Sequence, residues 1–234
     1  MADMLPVAIM AGGYGTRLGE LTKDTPKSLV EVAGKPFIRY QLDLLKKNGI
    51  ARVVVCAGHL GDQVGEELSN PPDGDIQVVI SQEGEQPIGT AEALRRALPM
   101  LGGAFFVLYG DSYLDCDMPR IQQAWRSSGK LGLMTICDVP EGSRANVEYR
   151  FGELKAYDKT QPMPAMRHID YGLGIMTWAA LDAYPEYTDI ADVYSDLALI
   201  DQLEGFLWLK RYYSIGSPSG LERTRKLLEK YIDS

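Results

Sequence analysis

Apolar residues gather into short runs separated by polar and glycine-rich punctuation. The runs at 6–10, 52–57, 77–81, 104–109 and 132–137 read as β-strands. Between the early runs the period lengthens: Phe37, Leu42, Leu44 and Leu45, then Val64 and Leu68, fall at helical spacing. Strand alternating with helix predicts βαβ crossovers and a mostly parallel sheet. The first helix is expected after Gly34, with Pro36 in its first turn and a stop at Asn48-Gly49; another runs over 90–98 and is stopped by Pro99. From about residue 139 the candidates shorten to 146–150, 154–157 and 171–177, a small antiparallel-rich portion. Ser217-Pro218, followed by Leu221, Leu227, Leu228 and Tyr231, predicts a capped amphipathic helix at the end. With no internal repeat or linker, residues 1–234 read as a single domain.

Composition narrows the class. The 234 residues are 45% hydrophobic and 24% charged, enough for one globular domain with a sizeable core and unlike the composition of disorder. No apolar run approaches the ~20 residues that cross a bilayer. The N-terminus lacks a basic region before its apolar stretch, so no export signal is expected. Cys56, Cys116 and Cys137 form no CxxC pair and sit in or beside apolar stretches, which predicts small core residues in a reducing cytoplasm. The net charge of −8 repels nucleic acid and anionic lipid, so any phosphate ligand must be caught locally. His59 and His168 have no paired acid or nucleophile at suggestive spacing. Tyr40, Trp125 and Trp178 are expected to pack the core or helix faces.

The most informative segment is Ala11-Gly12-Gly13-Tyr14-Gly15-Thr16-Arg17-Leu18, directly after the first strand. Glycines there allow close backbone approach, and successive N–H groups form a concave anion site. A dinucleotide fingerprint would need a third glycine where Leu18 stands, and Ala57-Gly58-His59 ends the second strand where that fold needs an acid. The Gly-Lys pairs Gly34-Lys35-Pro36 and Gly129-Lys130-Leu131 both lack the Ser or Thr of a P-loop. A ligand-free turn remains open for the glycines alone. Arg17 and the downstream Pro26-Lys27 favour a phosphate site.

These residues, with Thr25-Pro26-Lys27-Ser28-Leu29-Val30-Glu31-Val32 and Gly34-Lys35-Pro36, resemble the signature of sugar-1-phosphate nucleotidylyltransferases. Further matches follow in family order: Glu85-Gln86-Pro87-Ile88-Gly89-Thr90-Ala91, Tyr109-Gly110-Asp111, Tyr157-Asp158-Lys159 and Ile215-Gly216-Ser217-Pro218. The short length and the Pro-x-Gly-Thr-Ala run resemble most the compact guanylyltransferases that act on heptose or mannose 1-phosphate. The resemblance implies a Rossmann-like three-layer α/β/α fold with a mostly parallel sheet. Within it would lie a nucleotide-binding core over 1–138, a sugar-phosphate portion over 139–216 and a terminal helix over 217–234. It implies a monomer or homodimer that takes an NTP and a sugar 1-phosphate, with neither nucleic acid nor membrane as partner. UTP, dTTP or CTP with another phosphorylated acceptor, or a non-catalytic nucleotide-sugar-binding protein, are the alternatives.

The implied reaction is attack of a sugar 1-phosphate oxygen on the α-phosphorus of the triphosphate, with pyrophosphate leaving. It needs no protein nucleophile, and catalysis rests on positioning and electrostatics. Arg17 would clamp the triphosphate through its planar fork, and Lys27 would neutralise the α-phosphate or the departing pyrophosphate. Asp111, ending an apolar strand at the carboxyl edge of a parallel sheet, is the expected Mg²⁺ ligand. The backbone of Ala11, Gly12 and Gly89 with Glu85 or Gln86 would read the base, and Gly13, Gly15, Thr16 and Thr90 complete the nucleotide side. Lys159 would grip the sugar phosphate beside Gly110, Asp170, Gly172 and Gly174. Asp115 and Asp117 are expected to be solvated charges or caps. Two departures stand out. Gly172 replaces the family's usual Asn, and Ser214 stands where members commonly place an acidic metal ligand, so Asp111 would hold the metal nearly alone or Asp170 would compensate.

Overall fold

The computed structural model describes residues 3–69, 76–140 and 142–232, with side chains to residue 230. In chain order the elements are β1 (Val7–Met10), β2 (Glu31–Val32), β3 (Lys35–Pro36), α1 (Phe37–Lys47), β4 (Arg52–Ala57), α2 (Gly61–Leu68), β5 (Gln77–Gln82), α3 (Thr90–Leu101), β6 (Ala104–Tyr109), β7 (Ser112–Tyr113), α4 (Met118–Ser128) and β8 (Gly132–Asp138). They continue with β9 (Val147–Arg150), β10 (Glu153–Tyr157), β11 (His168–Thr177), α5 (Trp178–Asp182), α6 (Ile190–Leu199), β12 (Leu203–Leu207), β13 (Tyr213–Ser214) and α7 (Pro218–Ile232). Nine strands form one mixed sheet with the path β10-β9-β11-β6-β1-β4-β5, while β8 pairs with β11 and β12. The strands of the first half, β6-β1-β4-β5, are all parallel. β11 runs antiparallel to β6, β8 and β9, so the shorter strands of the second half extend the same sheet.

The apolar strand runs are continuous because both faces of the sheet are covered. Ala8, Val54, Cys56, Phe105 and Val107 face α3, α5 and α6. Their neighbours Val7, Ile9, Val53, Val55, Phe106 and Leu108 face α1, α2 and α4. This alternation makes the three layers α/β/α. A third, smaller cluster joins Leu18, Val30, Val32, Phe37, Tyr113, Ile215, Leu221 and Leu228. It packs the segment after the glycine loop, the β2–β3 hairpin, the β7–β13 ribbon and α7 into one platform beside the carboxyl ends of the parallel strands.

Several boundaries differ from expectation, each for a local reason. Gly34 and Ala33, both at positive φ, turn the β2–β3 hairpin, so Pro36 ends β3 and precedes α1 instead of lying in its first turn. Pro99 does not stop α3, which continues to Leu101 and ends at Gly102 with φ 80°. Proline removes one N–H but leaves the rest of the turn to form where the packing of Leu101 favours it. Trp178, expected to pack, is 49% exposed at the start of α5. α4 and α6 carry Asp caps, Asp117 accepting from Arg120 N and Asp189 from Ala191 N. Tyr231, counted on the apolar face of the last helix, lies beyond the described side chains. All three cysteines are buried, and burial pushes the Cys116 and Cys137 thiols up to about 12, which leaves them unreactive. Among the described residues no helix is long and apolar enough to cross a membrane.

Candidate functional site

Four strand ends meet at one edge of the sheet: β1 before Ala11, β4 before Gly58, β5 before Glu83 and β6 before Gly110. Open α/β sheets place ligands at this edge. A cleft of about 490 Å³ opens there, and its wall carries Ala11, Gly12, Gly13, Arg17, Lys27, Glu83, Gly89, Thr90, Gly110, Asp111 and Lys159. Most of the residues singled out from the sequence are thus brought together by the ends of β1 and β6 and the start of α3.

The lower end of the cleft is charged. Gly110 lets β6 close on β1, since a Cβ there would stand 2.5 Å from the Met10 carbonyl oxygen. Asp111 follows, its backbone carbonyl accepting from Ile215 N at 2.9 Å, and Ser112 pairs with Ser214 across the β7–β13 ribbon. Lys27 donates to Asp111 Oδ2 in a half-buried ion pair. Around Gly216 three side chains converge: a Cβ there would lie 2.7 Å from Asp111 Oδ2, 3.1 Å from Arg17 Nη2 and 3.1 Å from Ser214 Oγ. Ser214 therefore stands beside Asp111, where its Oγ accepts from Gly216 N at 3.0 Å. Among the described residues no three His, Cys, Asp or Glu side chains are grouped to hold a metal ion.

The upper end holds a residue that sequence reasoning missed. Glu83 lines the cleft against Gly12 and Gly58, its Oε1 buried without a hydrogen-bond partner. Burial raises its carboxyl above the ordinary range, opposed by Arg96. Gly12 lets the Glu83 carboxylate approach the loop closely, since a Cβ there would stand 2.5 Å from Glu83 Oε2 and the side chain would have to shift. The signal was legible only as an acid directly after an apolar strand, which also describes many solvated turns. Of the expected base readers, Ala11, Gly12 and Gly89 are on the cleft wall, whereas Glu85 pairs with His59 Nδ1 at 3.0 Å on the rim and Gln86 is not on the wall. Tyr14 ties this rim together, its hydroxyl donating to the Glu85 carbonyl at 3.0 Å and its ring 4.8 Å from that of His59. His59 therefore does have an acid partner. His168 opens β11, with its ring edge-on to Tyr149.

Gly15 and Thr16 shape the loop from outside the wall. Gly15 has φ 66° and precedes the turn begun by Thr16. On the opposite flank, Lys159 reaches Asp189 at 3.5 Å, and Asp189 also accepts from Thr90 Oγ1 at 2.9 Å, linking the starts of α3 and α6. The pairing of β11 with β8 slips between Asp170 and Gly174, with Gly172 at φ 88°. That slip turns Asp170 toward Tyr109, whose hydroxyl donates to it at 3.1 Å, while Gly172 N donates to its other oxygen at 2.8 Å. Burial pushes Asp170 up to about 6 against these bonds and the nearby Lys159. Gly172 packs on Ser112 and Tyr109, and Gly174 is inside the sheet under the Tyr194 ring, so neither is on the cleft wall.

The model of the nucleotidyl transferase family matches residues 7–160. The chain is 37% identical over 143 residues to the mannose-1-phosphate guanylyltransferase catalytic subunit beta of Drosophila pseudoobscura pseudoobscura, covering 59% of this chain and 38% of that protein. It is 31% identical over 181 residues to the Xenopus tropicalis protein of the same name, covering 74% of this chain and 50% of that protein. The chain thus spans half or less of the length of these relatives. Its fold matches that of HddC from Yersinia pseudotuberculosis, solved in complex with GMP-PN, with a TM-score of 0.78 at 21% identity over 96% of this chain and 100% of the other.

Proposed function

Because the chain belongs to the nucleotidyl transferase family, we propose that it transfers a nucleoside monophosphate, GMP in preference, from a triphosphate to a sugar 1-phosphate, with release of pyrophosphate. The observation that carries this reading is the polarity of one cleft: the Lys27–Asp111 pair and Arg17 at one end, and the unpartnered carboxylate of Glu83 at the other. Guanine presents two adjacent donors, N1–H and the N2 amino group. A carboxylate offers two adjacent acceptors, and a buried acceptor left unpaired is costly, which favours the base that satisfies it.

At the charged end the chain supplies positioning and charge. Gly12 and Gly13 let the triphosphate approach the backbone of the loop, and Arg17 presents a planar fork to its phosphate oxygens. Lys27 exchanges its contact with Asp111 for the phosphate whose negative charge grows as the bond to phosphorus forms. Lys159 holds the acceptor phosphate on the opposite flank, so that its oxygen meets the α-phosphorus without a covalent enzyme intermediate. Asp111 fits a Mg²⁺ ion of the kind held by one carboxylate with substrate phosphate oxygens and water, and Ser112 and Ser214 offer neutral hydroxyls beside it. When bound, the ion neutralises charge on the transferring phosphate.

Mannose 1-phosphate and heptose 1-phosphate are the favoured acceptors, the first being the substrate in the names of the relatives above. The test is pyrophosphate release with GTP, UTP, dTTP and CTP, each with a panel of sugar 1-phosphates. GTP should be used best. Binding of GTP without pyrophosphate release from any pair would replace the enzyme with a nucleotide-sugar-binding protein.

A further inference from the structure

Beyond Tyr212 the charged end of the main cleft opens into a second cleft of about 470 Å³, and the two share Arg17, Asp111 and Tyr212 on their walls. Each is of a size that takes one small molecule. Arg211 and Arg223 project onto this second wall together with Arg17, among the hydroxyls of Ser143, Ser214 and Ser217. Among the described residues Asp111 is the only acid on the wall, and Lys27 already pairs with it. Among the described residues neither Arg211 nor Arg223 has a carboxylate partner; Arg211 lies 5.9 Å from the Tyr213 ring. In a chain of net charge −8, three arginines converging on one cleft, none of them in an ion pair among the described residues, make a local anion site.

A neutral sugar 1-phosphate leaves Arg211 and Arg223 unused, because its single phosphate lies with Lys159 in the main cleft, where its oxygen meets the α-phosphorus, and Arg17 serves the triphosphate. We propose that the second cleft seats the part of the acceptor remote from its 1-phosphate, and that Arg211 and Arg223 there grip a second anionic group, a carboxylate or a further phosphate. The inference rests on the reading of the main cleft and replaces its plain mannose or heptose 1-phosphate with a sugar 1-phosphate that carries a second anionic group. Arginine suits this role because its fork meets either anion with two parallel hydrogen bonds.

Three compounds that differ only at C6 test it: mannose 1-phosphate, mannose 1,6-bisphosphate and mannuronic acid 1-phosphate. Their binding is measured by titration calorimetry to the wild type, to Arg223→Ala, to Arg223→Lys and to Arg211→Ala. Both arginines are exposed, so truncation leaves the core intact, and thermal unfolding of each variant checks this. At least one charged compound should bind ten or more times tighter than mannose 1-phosphate. Which of the two does so identifies the anion. The preference should fall to threefold or less in Arg223→Ala and Arg211→Ala and return in part in Arg223→Lys. Equal affinities for all three compounds, no measurable binding of either charged one, or a preference that survives both truncations would overturn it. Failure of the parent reading looks different: no pyrophosphate is released with any triphosphate, while the calorimetric preference stands or falls independently.

Discussion

Single residues of the cleft differ in which of their polar groups have partners. Glu83 keeps a buried carboxylate oxygen free within the main cleft, and the change to Gln replaces one of its two acceptors by a donor. Glu83→Gln should lower kcat/KM for GTP by about 10- to 100-fold, since one hydrogen bond to a charged group contributes about 1.5–3 kcal/mol. It should narrow the gap to UTP, whose N3–H and O4 present one donor and one acceptor. Competition between the two triphosphates in a single assay reads the ratio directly, and an unchanged ratio would remove Glu83 from base reading. Ser214 supplies the second residue-scale prediction, because its hydroxyl lies beside Asp111 across Gly216. A carboxylate there adds a hard ligand while paying its own desolvation, so Ser214→Asp should lower the Mg²⁺ concentration for half-maximal activity about tenfold. A Mg²⁺ titration that superimposes on the wild type would show that position 214 does not face the metal.

At the scale of elements, two glycines separate folding from chemistry. A Cβ at Gly110 would meet the Met10 carbonyl at 2.5 Å and the Ala11 Cα at 3.2 Å, both backbone, so β1 and β6 would have to part. Gly110→Ala should therefore destabilise the fold by about 2 kcal/mol or more in urea unfolding. At Gly216 the neighbours are the ends of the Asp111, Arg17 and Ser214 side chains rather than backbone. Gly216→Ala should leave stability within about 1 kcal/mol while lowering kcat by an order of magnitude or more, and the reverse pattern would mean that the three side chains do not act together. The parallel strands were legible in the sequence because both faces are buried and each strand is a continuous apolar run. That the glycine loop, Lys27 and Asp111 share one cleft was legible because they lie at strand ends or in short, characteristic segments. Glu83 was not, since a pattern of polarity does not reveal that Gly12 and Gly58 will close over one carboxylate. The His59–Glu85–Tyr14 rim was hidden for a similar reason: its members follow three different strands and meet only when β1, β4 and β5 pair. β12 and α6 escaped because Gly205 interrupts one and the other is apolar over most of its circumference.

At the scale of the whole molecule, the nine-stranded sheet brings its two halves to one site, and the seam between them carries a pH dependence. Asp170 sits at the slip in β11, with its carboxyl pushed up by burial from an ordinary 3.8 to about 6. A raised folded-state value means that the folded chain holds a proton the unfolded chain releases. The stabilisation is fully present below about pH 4 and is lost as the pH rises through about 6. Over that window the loss amounts to at most about 3 kcal/mol, reduced by the partial exposure of the site. Asp170→Asn cannot lose a proton, so its stability relative to wild type should rise between pH 4 and 6 and level off above. Urea midpoints of both proteins at four pH values give the comparison; a constant difference would show that Asp170 ionises as it does in water.

The central claim is that one cleft joins a guanine-reading carboxylate to a phosphate-handling cluster and performs nucleotidyl transfer. Its most direct test is pyrophosphate release from GTP and a sugar 1-phosphate in the presence of Mg²⁺, compared between wild type and Asp111→Asn. The account predicts sugar-dependent release by the wild type, faster with GTP than with UTP, dTTP or CTP, and a loss of at least 100-fold in Asp111→Asn with its thermal unfolding unchanged within a few degrees. Release that persists at the wild-type rate in Asp111→Asn, or no release by the wild type with any triphosphate and sugar 1-phosphate, would contradict it.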